Sequence, residues 1–245
     1  RDRQPEWMDQ PDIARDLHAH ALKGLARVNR ISGAVRSLAK PIVAIANRDP
    51  SRPVRILDVA SGGGDIAIGL KAFLTRQGVA SELIGCDLSE TAIEYSTAEA
   101  KKRDINVSFV QCDALGGKLP DGFDVVCSTL FMHHLDAQDV VRLLQSMRSA
   151  SRGIVLISDL IRSRLGYVLA KWGIRLLTTS EVCHVDGPLS VRGAWTISEA
   201  NDLAKTAGLS DVTIQKVWPE RFLLTAKGLL GHDCWPAKAG TTNRS

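Results

Sequence analysis

The chain has 245 residues, 44% of them hydrophobic and 24% charged, with a formal net charge of +4. That balance suits a globular protein with a sizeable core, and no apolar run approaches the roughly 20 residues that span a bilayer. The mild positive charge permits an anionic partner but does not demand one.

The opening RDRQPEWMDQ lacks the apolar core of a secretory signal, so a cytoplasmic protein is expected, and a start at Arg1 without methionine implies missing leading residues. Cysteines at 86, 112, 127, 183 and 234 form no C-x-x-C pair, which points to reduced thiols and to no metal site. With no internal repeat, a single domain is expected over 1–245: an N-terminal helical cap (1–50), a cofactor-binding core (51–160), a lid insertion (161–196), a C-terminal helix and strands (197–230) and a tail (231–245).

Residues 12–48 carry a helical pattern. Ile13, Leu17, Ala21, Leu25 and Val28 recur at steps of four and three, Gly33 breaks the run, and Pro41 limits or kinks the second segment. The opposite face is basic, with Arg15, Lys23, Arg27, Arg30, Arg36 and Lys40: a solvated face, or one that meets a membrane surface or an acidic partner. Asp49–Pro53, with two prolines, reads as a linker.

From 54 to about 160 short Val- and Ile-rich runs alternate with helical stretches. VRILDVA (54–60), SELIGCD (81–87), VSFVQCD (107–113), FDVVCST (123–129) and GIVLISD (153–159) predict buried parallel strands. Helices are expected over 65–77, 89–103 and 136–151, with Asp65, Ser89 and Asp136 at their N-caps. Such alternation predicts a doubly wound, mostly parallel α/β sheet, whose ligands sit beyond the carboxyl ends of the strands. Four of those ends are polar: Asp58, Asp87, Asp113, and Ser128 with Thr129. Beyond 196 a helix near 197–208 and the strands VTIQKVW and RFLLTAKG are expected.

RILDVASGGGDIAIGL raises a question of ligand. Gly62, Gly64 and Ala67 satisfy G-x-G-x-x-G/A, the pattern that brings backbone close to a pyrophosphate. Yet Asp58 and Asp65 flank the place where phosphates would lie, and Asp58 stands four residues before Gly62, a spacing foreign to dinucleotide sites. Like charges about 4 Å apart cost on the order of 4 kcal/mol at an effective dielectric near 20. A ligand carrying an ammonium and a sulfonium meets no such penalty. Asp65 also reads as a plain N-cap.

LDVASGGGD, a strand ending in IGCD, then VQCDA, then FDVVCSTLFMHHL resembles the ordered motif set of class I S-adenosylmethionine-dependent methyltransferases, with a Rossmann-like fold and S-adenosyl-L-methionine as cofactor. Ala60 stands where that family has its first glycine, a mild change if the position does not need positive φ. The resemblance implies a cofactor site at Asp58, Ala60, Ser61, Gly62 and Gly64. Asp87, 23 residues after Gly64, would take the ribose hydroxyls. Asp113 and Ala114 would bond the adenine amino group and ring, Leu88 would pack on adenine, and Leu130 would lie near the methionine part.

The run MHHLD resembles the same region of plant-type small-molecule O-methyltransferases, where a histidine is the general base; His133 falls at that position, with His134 as the second candidate. Such a base helps because a phenol has a pKa of about 10. In the insertion, Leu165, Val168, Leu169, Trp172 and Leu176 share one helical face, with Arg164, Lys171 and Arg175 largely off it: a lid, a membrane-surface helix or plain packing. EVCHVDGPLSVRGAWT adds His184, Asp186 and Arg192 around a Gly-Pro turn, and with Trp172 these are the candidate acceptor contacts. Together with PEWMDQPDI they resemble a bacterial group of methyltransferases encoded beside type III polyketide synthases. The expected acceptor is a small hydrophobic phenol or polyketide, with carbon methylation of a quinone-like or lipid acceptor as the alternative. A nicotinamide-dependent oxidoreductase and a non-catalytic cofactor-binding protein are the readings of other classes. The strand ends lack the N/D-P-P-Y/F signature of amino-methylating DNA enzymes, so no nucleic-acid partner is expected, and at most peripheral membrane contact.

Overall fold

The computed structural model describes residues 1–10 and 12–229; the expected tail at 231–245 lies outside them. Two helices, α1 (Arg15–Ile31) and α2 (Ala34–Ala46), precede a core of β1 (Val54–Val59), α3 (Asp65–Arg76), β2 (Ser81–Asp87), α4 (Glu90–Lys102), β3 (Ser108–Gln111), β4 (Phe123–Thr129), α5 (Ala137–Ala150) and β5 (Ser151–Leu160). The insertion contains α6 (Arg164–Val168), a π-helical turn (Leu169–Gly173), α7 (Ile174–Leu177) and α8 (Glu181–Gly193); α9 (Ile197–Thr206), β6 (Ser210–Val217) and β7 (Arg221–Lys227) follow.

The strands form one sheet in the order β3-β2-β1-β4-β5-β7-β6. β1 to β5 pair in parallel, and β7 runs antiparallel to both β5 and β6. This is the expected doubly wound Rossmann-like sheet, and its strand order reverses between β1 and β4, where such sheets open a crevice at their carboxyl edge. Each face carries its own apolar layer. One gathers Leu57, Val126, Leu143, Met147 and Phe222, and the other Leu38, Ile42, Ile56, Leu70 and Leu74. The central strands read as continuous apolar runs because both faces are covered.

The basic face of α1 and α2 is exposed at Arg15, Lys23, Arg27, Arg30, Arg36 and Lys40, while the α1 apolar stripe is only partly buried: Ala21 is covered, but Leu17 is 37% exposed. Pro41 does not end its helix, which runs on to Ala46. Ser89 and Asp136 cap α4 and α5 as expected, accepting the Ala92 and Asp139 amide N–H groups. Asp65 does not cap α3: Gly64, in the left-handed region, takes the cap position, and Asp65 is the first helical residue.

The larger departure is α8. Gly187-Pro188 makes no turn, and the helix runs through it. Ser180 caps the start by accepting the Cys183 N–H, and Val182, Cys183 and Val191 are buried, so packing outweighs the proline penalty of about 3 kcal/mol. Ile174 packs closely on Gly187, where a Cβ would stand 2.3 Å from Ile174 Cδ1 and would have to displace that side-chain end. Asp186 Oδ1 and Oδ2 accept the backbone N–H groups of Trp7 and Met8 at 2.8 and 2.9 Å, while a Cβ on Gly24 would meet Thr178 Oγ1 at 2.6 Å and Cys183 Sγ at 2.9 Å. The N-terminal segment and the insertion therefore pack on each other at the carboxyl edge of the sheet.

Candidate active site

A cavity of about 400 Å³ opens at that edge. Its floor is the β1–α3 loop, its far wall the ends of β2, β3 and β4, and its roof comes from α1, α8 and the first ten residues.

The loop is shaped by three left-handed residues: Ala60 (φ 55), Gly62 (φ 50) and Gly64 (φ 72). Ala60 therefore does occupy a conformation that favours glycine, so its substitution is not mild and costs on the order of 1 kcal/mol. A Cβ on Gly62 would meet nothing within 4 Å, which leaves backbone facing open space. Gly64 has a different job from the one expected. It does not line the cavity, and a Cβ there would stand 2.7 Å from both Phe109 Cζ and Ser96 Cβ, so it lets α3 start against α4 and β3. Gly63 lines the cavity in its place.

Asp58, Ala60, Ser61, Gly62, Asp87, Leu88, Asp113, Ala114 and Leu130 all border the cavity. Asp87 Oδ2 accepts the Gly62 N–H at 2.8 Å and Oδ1 the Ser89 N–H at 3.0 Å, tying the loop to β2 while leaving acceptor capacity. Asp113 Oδ1 accepts from Leu115 and Gly116, which holds its carboxyl below the usual range. Leu88 is 65% exposed, an apolar surface without a protein partner on its outer side. Leu130 is left-handed too (φ 56) and turns the chain after β4.

Among the described residues, several buried polar atoms here have no partner: Asp58 Oδ2, Ser61 Oγ, Thr129 Oγ1 and Arg221 Nη1. Burial, with Asp65 nearby, pushes the Asp58 carboxyl up to about 7. Burial also raises Asp65, although Asn29 Nδ2 donates to it at 3.1 Å. Arg221, buried at the start of β7, donates from Nη2 to Asn29 Oδ1 at 2.8 Å; burial lowers its pKa to about 10 against the pull of Asp159 and Asp65. Native buried polar groups are seldom left unpaired. A carboxylate, two hydroxyls and a guanidinium N–H, all unsatisfied, fit the ammonium and carboxylate of an amino-acid group.

At the opposite end lies a second cluster. His133 is buried, its Nδ1–H donates to Asp159 Oδ1 at 2.6 Å, and its Nε2 lies 3.8 Å from Glu6 Oε1. Asp159 also accepts the backbone N–H groups of His133 and Leu160. Burial would raise the Asp159 carboxyl, but His133 beside it and the hydrogen bond His133 donates hold it below the usual range. His134 donates from Nδ1 to Asp9 Oδ2 at 2.9 Å. Burial lowers its pKa, but Asp9 and Glu6 outweigh this and lift it to about 9. Burial raises Glu6, whose Oε1 accepts the Ser190 hydroxyl at 2.8 Å. Ligand atoms of Glu6, His133 and His134 lie within 4.8 Å of one another, a donor set that could also receive a cation.

Of the candidate acceptor contacts in the insertion, Asp186 borders the cavity but is engaged by Trp7 and Met8. The other three are placed elsewhere. His184 Nε2 bonds the Thr178 carbonyl at 2.7 Å, Arg192 pairs with Asp2, and Trp172 is 61% exposed on the outer side of its helix.

Asp159, Glu6, Asp9, Asn29 and Arg221 were not expected. Asp159 closes the quoted strand GIVLISD and carried the same polar-strand-end signal as Asp58 and Asp87. The others come from segments whose proximity no local pattern encodes.

Residues 56–152 match a family model described as a methyltransferase domain. A demethylmenaquinone methyltransferase of Thermus thermophilus is 37% identical over 75 residues, 30% of this chain and 32% of that protein. A ubiquinone biosynthesis O-methyltransferase of Rickettsia canadensis is 30% identical over 118 residues, 47% of each. The chain spans a third to about half of the length of the curated relatives it matches. Among solved structures, human N-acetylserotonin methyltransferase with S-adenosylmethionine superposes with a TM-score of 0.62 at 14% identity, over 89% of this chain and 57% of that one. Synechocystis magnesium protoporphyrin IX methyltransferase with bound S-adenosylhomocysteine gives 0.56 at 14% identity, over 93% and 90%. These likenesses establish the class I methyltransferase fold.

Proposed function

We propose that this chain, whose residues 56–152 are a methyltransferase domain of the S-adenosylmethionine-dependent class, methylates a hydroxyl of a small hydrophobic phenol or polyketide-type acceptor. The observation that carries the proposal is His133, paired with the buried Asp159, bordering the same cavity as the loop of Gly62.

S-adenosylmethionine brings a methyl group on a sulfonium, which needs no further activation. Asp58 and Asp65 supply the negative field that its ammonium and sulfonium favour, and Arg221 Nη1 supplies a donor for its carboxylate. Asp87 would take the ribose hydroxyls, and Leu88, Asp113 and Ala114 the adenine. On the acceptor side, Asp159 fixes the proton on His133 Nδ1, so Nε2 is the nitrogen free to accept a phenolic proton. The Asp159 charge then stabilises the imidazolium that results. Leu22, Leu25, Val28, Phe131, Ile174 and Val191 give the cavity apolar walls, which favour an acceptor with a hydrophobic body and exclude water around the transfer. A polyketide phenolic lipid, the acceptor suggested by the resemblance of the N-terminal and inserted segments, has that character. A quinone-type carbon acceptor is the second reading, favoured by the demethylmenaquinone relative.

The test offers an alkylated resorcinol, a short polar catechol and a quinone-type carbon acceptor under identical conditions and reads products by mass. O-methylated resorcinol is expected to dominate. Preference for the polar catechol, or methylation of carbon alone, refutes the acceptor class. Binding of a nicotinamide dinucleotide without binding of S-adenosylhomocysteine refutes the cofactor.

A further inference from the structure

The helical stretch from Arg164 to Leu177 is built the wrong way round for a solvated element. Its inward side places Ala170 and Ile174 in the cavity wall. Its outward side carries Leu165, Val168, Leu169, Trp172 and Leu176, which are 41% to 88% exposed. A helix on a soluble surface normally turns charge outward and bulk inward; here five large apolar side chains share one exposed face, and isolated exposed leucines do not account for a contiguous stripe.

The surroundings specify the occupant. Arg164, Lys171 and Arg175 flank the stripe, and among the described residues none of them has an acidic partner within salt-bridge distance. Arg27 of α1 donates to the Leu177 carbonyl at 2.9 Å, joining this stretch to the basic face of α1, where Lys23 and Arg30 are also exposed and, among the described residues, have no acidic partner within salt-bridge distance. An apolar stripe bordered by unpaired cations complements an anionic lipid headgroup layer with acyl chains beneath it. A second protein copy would bring the same positive charge against itself. Among the described residues no helix is long and apolar enough to cross a membrane, so the contact is one of lying on the surface.

We infer that residues 164–177 dock this protein on an anionic membrane surface and that a lipophilic acceptor enters the cavity from the bilayer past Ala170 and Ile174. The inference deepens the hydrophobic-acceptor reading and rests on it. Docking itself is measured without cofactor or acceptor, so its failure leaves methyl transfer standing, and the reverse.

The purified chain is floated with vesicles of phosphatidylcholine alone and of equal parts phosphatidylcholine and phosphatidylglycerol. Binding to the anionic vesicles and little to the neutral ones is expected, weakening as salt rises. Leu176→Asp with Val168→Asp, both on the exposed side, and separately Lys171→Glu with Arg175→Glu, should each weaken binding by about tenfold or more. With intact thermal unfolding, the Leu176→Asp, Val168→Asp variant should keep turnover on a water-soluble phenol and lose it on a vesicle-embedded one. Equal binding to both vesicle types, binding unmoved by either variant, or a dimer in solution that Leu176→Asp dissociates would each overturn the inference.

Discussion

Asp58→Asn tests whether the cofactor loop stores electrostatic strain. Asp58 is buried, one of its oxygens has no partner, and its carboxyl is pushed from 3.8 up to about 7. Because the folded state holds this proton more tightly than the unfolded chain, stability is full below about pH 4 and falls as pH rises through the window from 4 to 7. At 1.36 kcal/mol per unit the accumulated loss at pH 8 is on the order of 4 kcal/mol. Asparagine removes the charge but adds an amide donor, and leaving that donor unpaired costs about 1–3 kcal/mol. The net gain at pH 8 is then about 1–3 kcal/mol, or roughly 2–4 °C in Tm per kcal/mol for a chain of this size. The assay is thermal unfolding of parent and variant from pH 4.5 to 8.5, with and without S-adenosylhomocysteine. The variant should be the more stable at pH 8, lose that advantage toward pH 4.5, and gain less from the ligand. A stability difference that does not change with pH would refute the reasoning.

His133→Ala should lower turnover on a phenolic acceptor by about 10²–10⁴-fold while leaving S-adenosylhomocysteine affinity nearly unchanged, as steady-state kinetics beside calorimetric titration would show; Asp159→Asn should lower turnover too, since its amide cannot hold the imidazole in the same tautomer. Arg221→Met should weaken S-adenosylhomocysteine binding by tenfold or more in the same titration, with a smaller effect on a ligand lacking the amino-acid carboxylate. Asp87→Ala should also cost at least tenfold, through lost ribose contacts and a loosened Gly62 loop. A chelator should leave turnover intact, because the proposed mechanism uses His133 as a base and needs no metal; loss of activity restored by a divalent cation would make the Glu6, His133 and His134 cluster a metal centre instead.

The sheet was legible because its signals are local. Val- and Ile-rich runs bounded by Gly, Asp or Ser identify strands without any knowledge of their neighbours, and their alternation with helices points to a doubly wound parallel sheet. The carboxylates that border the cavity were legible for the same reason, since Asp58, Asp87 and Asp113 stand at or next to strand ends. Legibility failed where two remote segments decide. Gly187-Pro188 reads as a turn, yet the helix runs through it with Ile174 packed against Gly187. Asp65 reads as a cap until Asn29 and Arg221, one helix and one strand away, give its carboxylate another task. Glu6 meets His133 across the whole core, a pairing no spacing announces. Ala60 shows a further limit: sequence flags the departure from glycine, and only its φ of 55° shows that the backbone still demands what glycine provides.

The clasp between the N-terminal segment and the insertion has a bearing on how acceptor preference could be transplanted. Trp7 and Met8 hang on Asp186, and α1 reaches α8 only because Gly24 has no side chain. The two halves of the roof thus form one packed unit, although the sheet core separates them along the chain. A chimera that exchanges residues 161–196 alone would leave Trp7 and Met8 without their acceptor and set a foreign helix against Gly24. Exchanging both halves together preserves the seam, so recombination libraries built from this chain should treat the core as the cassette and its two flanks as a matched pair.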